Sequence, residues 1–182
     1  MSIDLSFTDA EWLSPEGFAR APLAIADGKI ADQTERCVAL PGKLILPGIV
    51  DLHGDAFERH LAPRRGAMTD LARGMISTEA DLAANGITTA VLAQFYSWEG
   101  GLRGPDFAAR MLAALDAVKH RVDTDMRAQL RLETYMIDAF PEILALIDRH
   151  DIRYVAFNDH LPHDHLARGK RPPRLTGTAL KS

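Results

Sequence analysis

The sequence predicts an α/β fold, parallel strands joined by helices behind a small β-region, and three observations carry that prediction. Asp27-Gly28 interrupts two short apolar stretches in LAIADGKI, and this dipeptide tolerates the positive φ angles of a tight hairpin turn. The run LILPGIVDL over residues 44–52 is almost continuously apolar, as expected of a strand buried on both faces of a parallel sheet. Beyond residue 65, helix-like and strand-like segments alternate, the pattern of parallel strands with crossover helices.

Taken in order, residues 1–45 form the small β-region, and residues 46–182 form the (β/α) part. Residues 70–85 predict a helix that closes at Gly86, a natural left-handed C-terminal position, before the strand ITTAVLAQF. A second helix is predicted over 105–122, with Pro105 at its first turn and Phe107, Met111, Leu115 and Val118 on one apolar stripe. The strand AQLRLETYMI follows, then a helix over 141–150 and a β-rich run over 152–158. The basic tail over 168–174, with Pro172 and Pro173, predicts a loop. Alternation alone leaves a barrel or a doubly wound sheet. His53, Glu133 and His160 each fall at or just past the C-terminal end of a predicted strand, where barrel enzymes assemble their sites, and this favours the barrel.

With 47% hydrophobic and 25% charged residues, the 182-residue chain has the balance of a globular protein rather than a disordered one. Its net charge of -4 argues against generic nucleic-acid or membrane-surface binding, so a small-molecule partner is expected. One cysteine, Cys37, excludes an internal disulfide and a thiolate metal cluster, and it reads as a small apolar filler. The acidic start MSIDLSFTDAEWL lacks the features of a signal peptide, and no long apolar run suggests a membrane span; a cytoplasmic location is expected. Self-association into a homo-oligomer stays open.

The chemistry concentrates where the apolar run ends in His53-Gly54-Asp55. In an extended segment residues two apart project the same way, so imidazole and carboxylate can converge on one cation. Nitrogen with oxygen donors suits zinc, manganese or iron. His-x-Asp alone is a weak signal, because it is common by chance.

The longer stretch LPGIVDLHGD resembles the first-strand signature of the amidohydrolase superfamily, whose members bind one or two metals at the mouth of a distorted (β/α)8 barrel. Its extension HGDAFERHLAPRRG and the later NDHLP are similar to the phosphonate-metabolism branch of that superfamily. The resemblance covers roughly residues 23–182 and is most specific in its first motif. It implies a metal-dependent (β/α)8 TIM-like barrel, one or two divalent metal ions, and His53, Asp55, Glu133 and His160 as their ligands. His163 and His165 compete with His160, and Glu133 has the alternative of a surface carboxylate paired with Arg131.

The implied reaction is attack by metal-activated water on the triphosphate of a ribose 1-methylphosphonate 5-triphosphate, releasing diphosphate. Such a substrate, a phosphorylated sugar phosphonate, needs cations, and Arg59 and Arg64 lie closest in sequence to the first motif. Arg65, Arg168, Lys170, Arg171 and Arg174 are further donors of the same kind. His60, His120 and His150 read as structural or exposed, and Tyr96 and Trp98 as packing aromatics. A closed barrel needs eight strands in about 250 residues. This sequence offers four strong candidates, so the barrel is expected to be incomplete within the chain. The competing expectations are another amidohydrolase acting on a cyclic amide or N-acyl group, and a catalytically silent fragment.

Overall fold

Two compact units, Met1–Gly48 and Ile49–Ser182, emerge from the contacts of the computed structural model, which describes residues 4–64, 67, 70–161 and 163–170. Arg65, Arg171 and Arg174, with the two tail prolines, lie outside the described residues. Among the described residues, no helix is long and apolar enough to cross a membrane.

Among the described residues, the first unit holds seven short strands: β1 (Leu5–Thr8), β2 (Glu11–Ser14), β3 (Gly17–Ala19), β4 (Leu23–Ala26), β5 (Lys29–Ala31), β6 (Cys37–Ala39) and β7 (Leu44–Ile45). They form two sheets, β5-β4-β1-β6 and β3-β2-β7. The hairpin at Asp27-Gly28 is present: both residues have positive φ, 51° and 72°, and Ala26 pairs with Lys29 across the turn. Cys37 departs from expectation. It is exposed and fills no core, because β6 lies at the sheet edge and turns the thiol outward.

The second unit alternates strand and helix: β8 (Ile49–Gly54), α1 (Glu58–Leu61), α2 (Leu71–Ala84), β9 (Ile87–Tyr96), α3 (Pro105–Val118), β10 (Asp125–Glu133), α4 (Phe140–Arg149), β11 (Tyr154–Asn158) and α5 (His163–Ala167). The four strands are parallel and adjacent in chain order, β8-β9-β10-β11. A doubly wound sheet reverses its order about the first strand; this sequential order is compatible with part of a (β/α) barrel.

Sequence chemistry explains most of the boundaries. Asp70 caps α2 by accepting the Arg73 N–H at 2.9 Å, and Gly86, at φ 74°, carries the chain out of it. Helix α3 ends at Val118, short of the expected 122, since Val118 is the last fully buried apolar residue of its stripe. Strand β10 ends at Glu133, where a turn closes from the Met136 N–H to the Glu133 carbonyl.

The apolar run over 44–52 is not one strand and is not buried on both faces. Leu44 and Ile45 pair with β2, Pro47 and Gly48 break the ladder, and β8 begins at Ile49. Ile49, Val50 and Leu52 are exposed because β8 is an edge strand paired only to β9. The apolar composition of that run reports what the strand suits, while burial depends on neighbours on both sides.

Strand alternation divides the sheet into two faces. Ala90, Leu92 and Tyr96 of β9 with Met126, Leu130 and Leu132 of β10 pack against Met75, Phe107, Met111, Leu112, Leu115, Ile143 and Leu146 of the helices. Val91, Ala93 and Phe95 with Gln129, Arg131 and Glu133 occupy the other face, in register with Tyr154, Ala156 and Asn158 of β11. That second face is polar toward the strand ends.

Gly74 marks where α2 passes α1. A Cβ there would lie 2.6 Å from Leu61 Cδ2 and 2.9 Å from the His60 carbonyl oxygen. Gly→Ala inside a helix ordinarily stabilises by roughly 1 kcal/mol. Gly74→Ala is expected to do the opposite, lowering the unfolding free energy by about 1–3 kcal/mol in urea titration, because a backbone carbonyl cannot move aside. A gain in stability would contradict this packing.

At the N-terminal end of the sheet, Asp116 lies 2.6 Å from Lys119 Nζ and 2.6 Å from Nδ1 of His150. Burial works to raise the Asp116 carboxyl, but the hydrogen bonds from Lys119 and His150 outweigh it and hold it below the usual carboxylate value. A depressed carboxyl contributes stability above its unfolded value near ~3.9 and loses it as pH falls through the folded value. Asp116→Asn is therefore expected to cost roughly 1 kcal/mol at pH 7, after allowance for solvent screening, and progressively less below about pH 4. Denaturation at both pH values reads the difference; a cost that persists unchanged in acid would sink it.

Candidate active site

The C-terminal ends of β9, β10 and β11 bring functional side chains together. Glu133, the last residue of β10, is only 1% exposed. Its Oε1 lies 2.6 Å from His160 Nδ1, and its Oε2 accepts the His160 backbone N–H at 3.2 Å. Glu133 is thus paired with His160, and the alternative of a surface carboxylate paired with Arg131 does not hold. With Nδ1 assigned as the donor to that carboxylate, Nε2 of the exposed His160 has no hydrogen-bond partner among the described residues.

Tyr135 extends this pair. Burial first, and then the neighbouring Glu133, push its phenol well above the usual tyrosine value, so it stays protonated. Trp98 donates its indole N–H to the Tyr135 hydroxyl. Nearby, the His160 ring is 6.2 Å from Phe95 and tilted by 51°. The Phe95 ring carries two guanidinium groups, Arg131 Cζ at 4.0 Å and Arg103 Cζ at 4.5 Å from its centroid.

Glu58, on α1 just past β8, belongs to the same neighbourhood. Burial raises its carboxyl most, Asp55 adds to the rise, and Arg103 and Arg131 act against it, leaving it above the usual value. Asp55, Glu58, Arg103 and Arg131 therefore share one electrostatic environment. Tyr96, by contrast, is fully buried in the core on the helix side.

His53 and Asp55 are exposed, and the strand is irregular where they fall. Asp51 pairs with Ala90 but Gly54 with Leu92, which sets three residues against two. Asp51 folds back so that Oδ1 accepts the His53 N–H at 3.0 Å, while Oδ2 would sit 2.8 Å from any Cβ at position 54. The register shift falls just before Gly54, so His53 lies within it and Asp55 follows the strand's end.

Among the described residues, no group of three or more His, Cys, Asp or Glu side chains is arranged to hold a metal ion. Of the four implied ligands, Glu133 and His160 are brought together and engage each other, and His53 and Asp55 complete no cluster with them. As placed, these donors do not fit a metal centre.

Arg59 pairs with Asp81 on α2, and Arg64 is exposed in an isolated bridge with Ala67. His163 is held 2.6 Å from Asp159 and stays exposed, as does His165. Arg131 and Arg103, rather than Arg59 and Arg64, lie beside the Glu133–His160 pair, around the Phe95 ring. Strand alternation is the sequence signal for this placement: Arg131 lies two residues before Glu133 and so shares its face.

No family model matches the chain. Over 149 residues, 77% of its length, it is 28% identical to the alpha-D-ribose 1-methylphosphonate 5-triphosphate diphosphatase of Escherichia coli (strain K12). That span covers 39% of the curated protein, so the chain corresponds to about two fifths of its relative's length.

Proposed function

We propose that this chain forms the N-terminal part of a phosphonate-metabolism hydrolase whose substrate is a ribose 1-methylphosphonate 5-triphosphate and whose product is diphosphate. The observation that carries the proposal is the Glu133–His160 pair, a buried carboxylate holding an imidazole at the C-terminal end of a parallel sheet. Similarity to the diphosphatase supports the substrate class.

The residues themselves define what this site can do. Glu133 accepts from Nδ1 and fixes the ring, so Nε2 can take a proton from an attacking water. Transfer of that oxygen to phosphorus breaks the phosphoanhydride bond, and diphosphate leaves. Arg131 and Arg103 offset the negative charge that accumulates on the phosphoryl oxygens. Among the described residues, the donor set does not assemble a metal centre.

Incubating the purified chain with the 5-triphosphate, with and without added manganese, zinc or iron, and following phosphorus signals by NMR tests the proposal. Free diphosphate with a 5-phosphate sugar is the expected outcome. Stepwise release of inorganic phosphate, or no turnover in any condition, would count against it.

A further inference from the structure

We propose that Arg131 and Arg103, stacked on Phe95 beside the Glu133–His160 pair, form the subsite that receives the phosphoryl oxygens of a di- or triphosphate group. This deepens the functional reading above and rests on the same site.

Two positive guanidinium groups share one aromatic ring, at 4.0 and 4.5 Å from its centroid. Cation–π attraction offsets part of the repulsion between them, and an anion is needed for the rest. Arg103 has one, Glu99, at 2.7 Å. Arg131 has none at bonding distance among the described residues, and its Nε is buried without a hydrogen-bond partner. Glu58 lies near enough for both arginines to act on its carboxyl, but it makes no ion pair with either among the described residues.

An arginine held by stacking, with donor capacity unused, is pre-organised for phosphate. The planar fork can give two parallel N–H bonds to phosphoryl oxygens, and little side-chain freedom is left to lose on binding. Register places the group correctly as well. Arg131 stands opposite Phe95 on β9 and two residues before Glu133 on its own strand, on the same face as the carboxylate that orients the proposed base. Arg103 reaches the ring from the loop after β9, where the Ser97 N–H donates to the Arg103 carbonyl at 2.7 Å and holds the loop in place. A polyphosphate chain would thus meet one cation from a rigid strand and one from an anchored loop.

Calorimetric titration of the full chain with inorganic tripolyphosphate at low salt reads the subsite without requiring turnover. Wild type is expected to bind, and Arg131→Met to weaken binding about 10-fold or more. Arg103→Met should weaken it less, because that side chain already has Glu99, and Arg131→Lys should restore only part of the loss. Arg153→Ala, an exposed cation at the opposite end of the sheet, should bind as wild type does. Thermal melts establish that each variant folds; if Arg131→Met does not, Arg131→Lys and Arg103→Met still decide the matter. Equal binding by wild type and the Arg131 and Arg103 variants, or no binding by wild type, overturns the subsite. Binding that depends on Arg131 without any diphosphate release overturns the hydrolase reading and leaves the subsite intact. Diphosphate release with an unchanged KM in Arg131→Met does the reverse.

Discussion

Leu130→Ala is expected to lower the unfolding free energy by about 3 kcal/mol, the largest stability loss of any single truncation considered for this chain. Leu130 is fully buried at the middle of β10, a strand paired on both sides, in register with Gln94 of β9 and Val155 of β11. Its side chain faces the helix layer, where Met111, Leu112 and Leu115 of α3 meet Leu92 and Met126 of the sheet. Removing it forfeits the transfer of the lost methylenes and leaves a cavity that a strand bonded on two edges cannot collapse. Leu144→Ala, on the exposed side of α4, serves as the comparison and should change stability by no more than ~0.5 kcal/mol. Urea titrations of both variants check the pair. A loss below about 1 kcal/mol at Leu130 would mean the core is packed differently from the arrangement described.

Glu133→Gln is expected to reduce diphosphate release by about 100-fold or more while leaving the fold in place. Glutamine keeps the shape of the buried side chain and can still accept the His160 N–H at 3.2 Å, so the cost to folding is small. Its amide lacks the charge that orients the imidazole through the 2.6 Å contact and stabilises the ring when it takes a proton. His160→Ala should lower release by a similar factor, and the double variant should fall little further, because the two side chains act as one unit. Steady-state rates of the four proteins, with thermal melts beside them, measure this. Independent, multiplicative losses would show that the two residues do not work together.

Position alone places Glu133 and His160 each at the end of a β-rich run, and the structure brings their side chains together. Their partnership with each other was not legible, since it depends on β11 lying beside β10 in the register Glu133 to Asn158. The arginines show the same divide. Arg59 stands near the first motif in sequence, yet Asp81, twenty-two residues away, takes up its charge. From sequence, Arg131 reads as a surface partner for Glu133; its stacking on Phe95 follows from strand pairing across β9 and β10. Ideal alternation puts His53 and Asp55 on one side of an extended strand; the irregular pairing between Asp51 and Gly54 is a tertiary feature the sequence does not announce.

What the sequence determined by itself is local: the Asp27-Gly28 turn, the Asp70 cap, the exit from α2 at Gly86, and the alternation of helical and extended periods that sets the fold class. These rest on φ preferences, on caps a few residues long and on side-chain period, all carried by neighbours in the chain. Tertiary structure alone decided which apolar runs are covered, which cations stay unpaired and which donors meet. Ile49, Val50 and Leu52 are as apolar as any core strand and are exposed, while the polar Gln129 and Glu133 are buried. The physical reason is that burial and charge pairing are set by what arrives from distant segments, through strand order and register, and composition does not encode that distance.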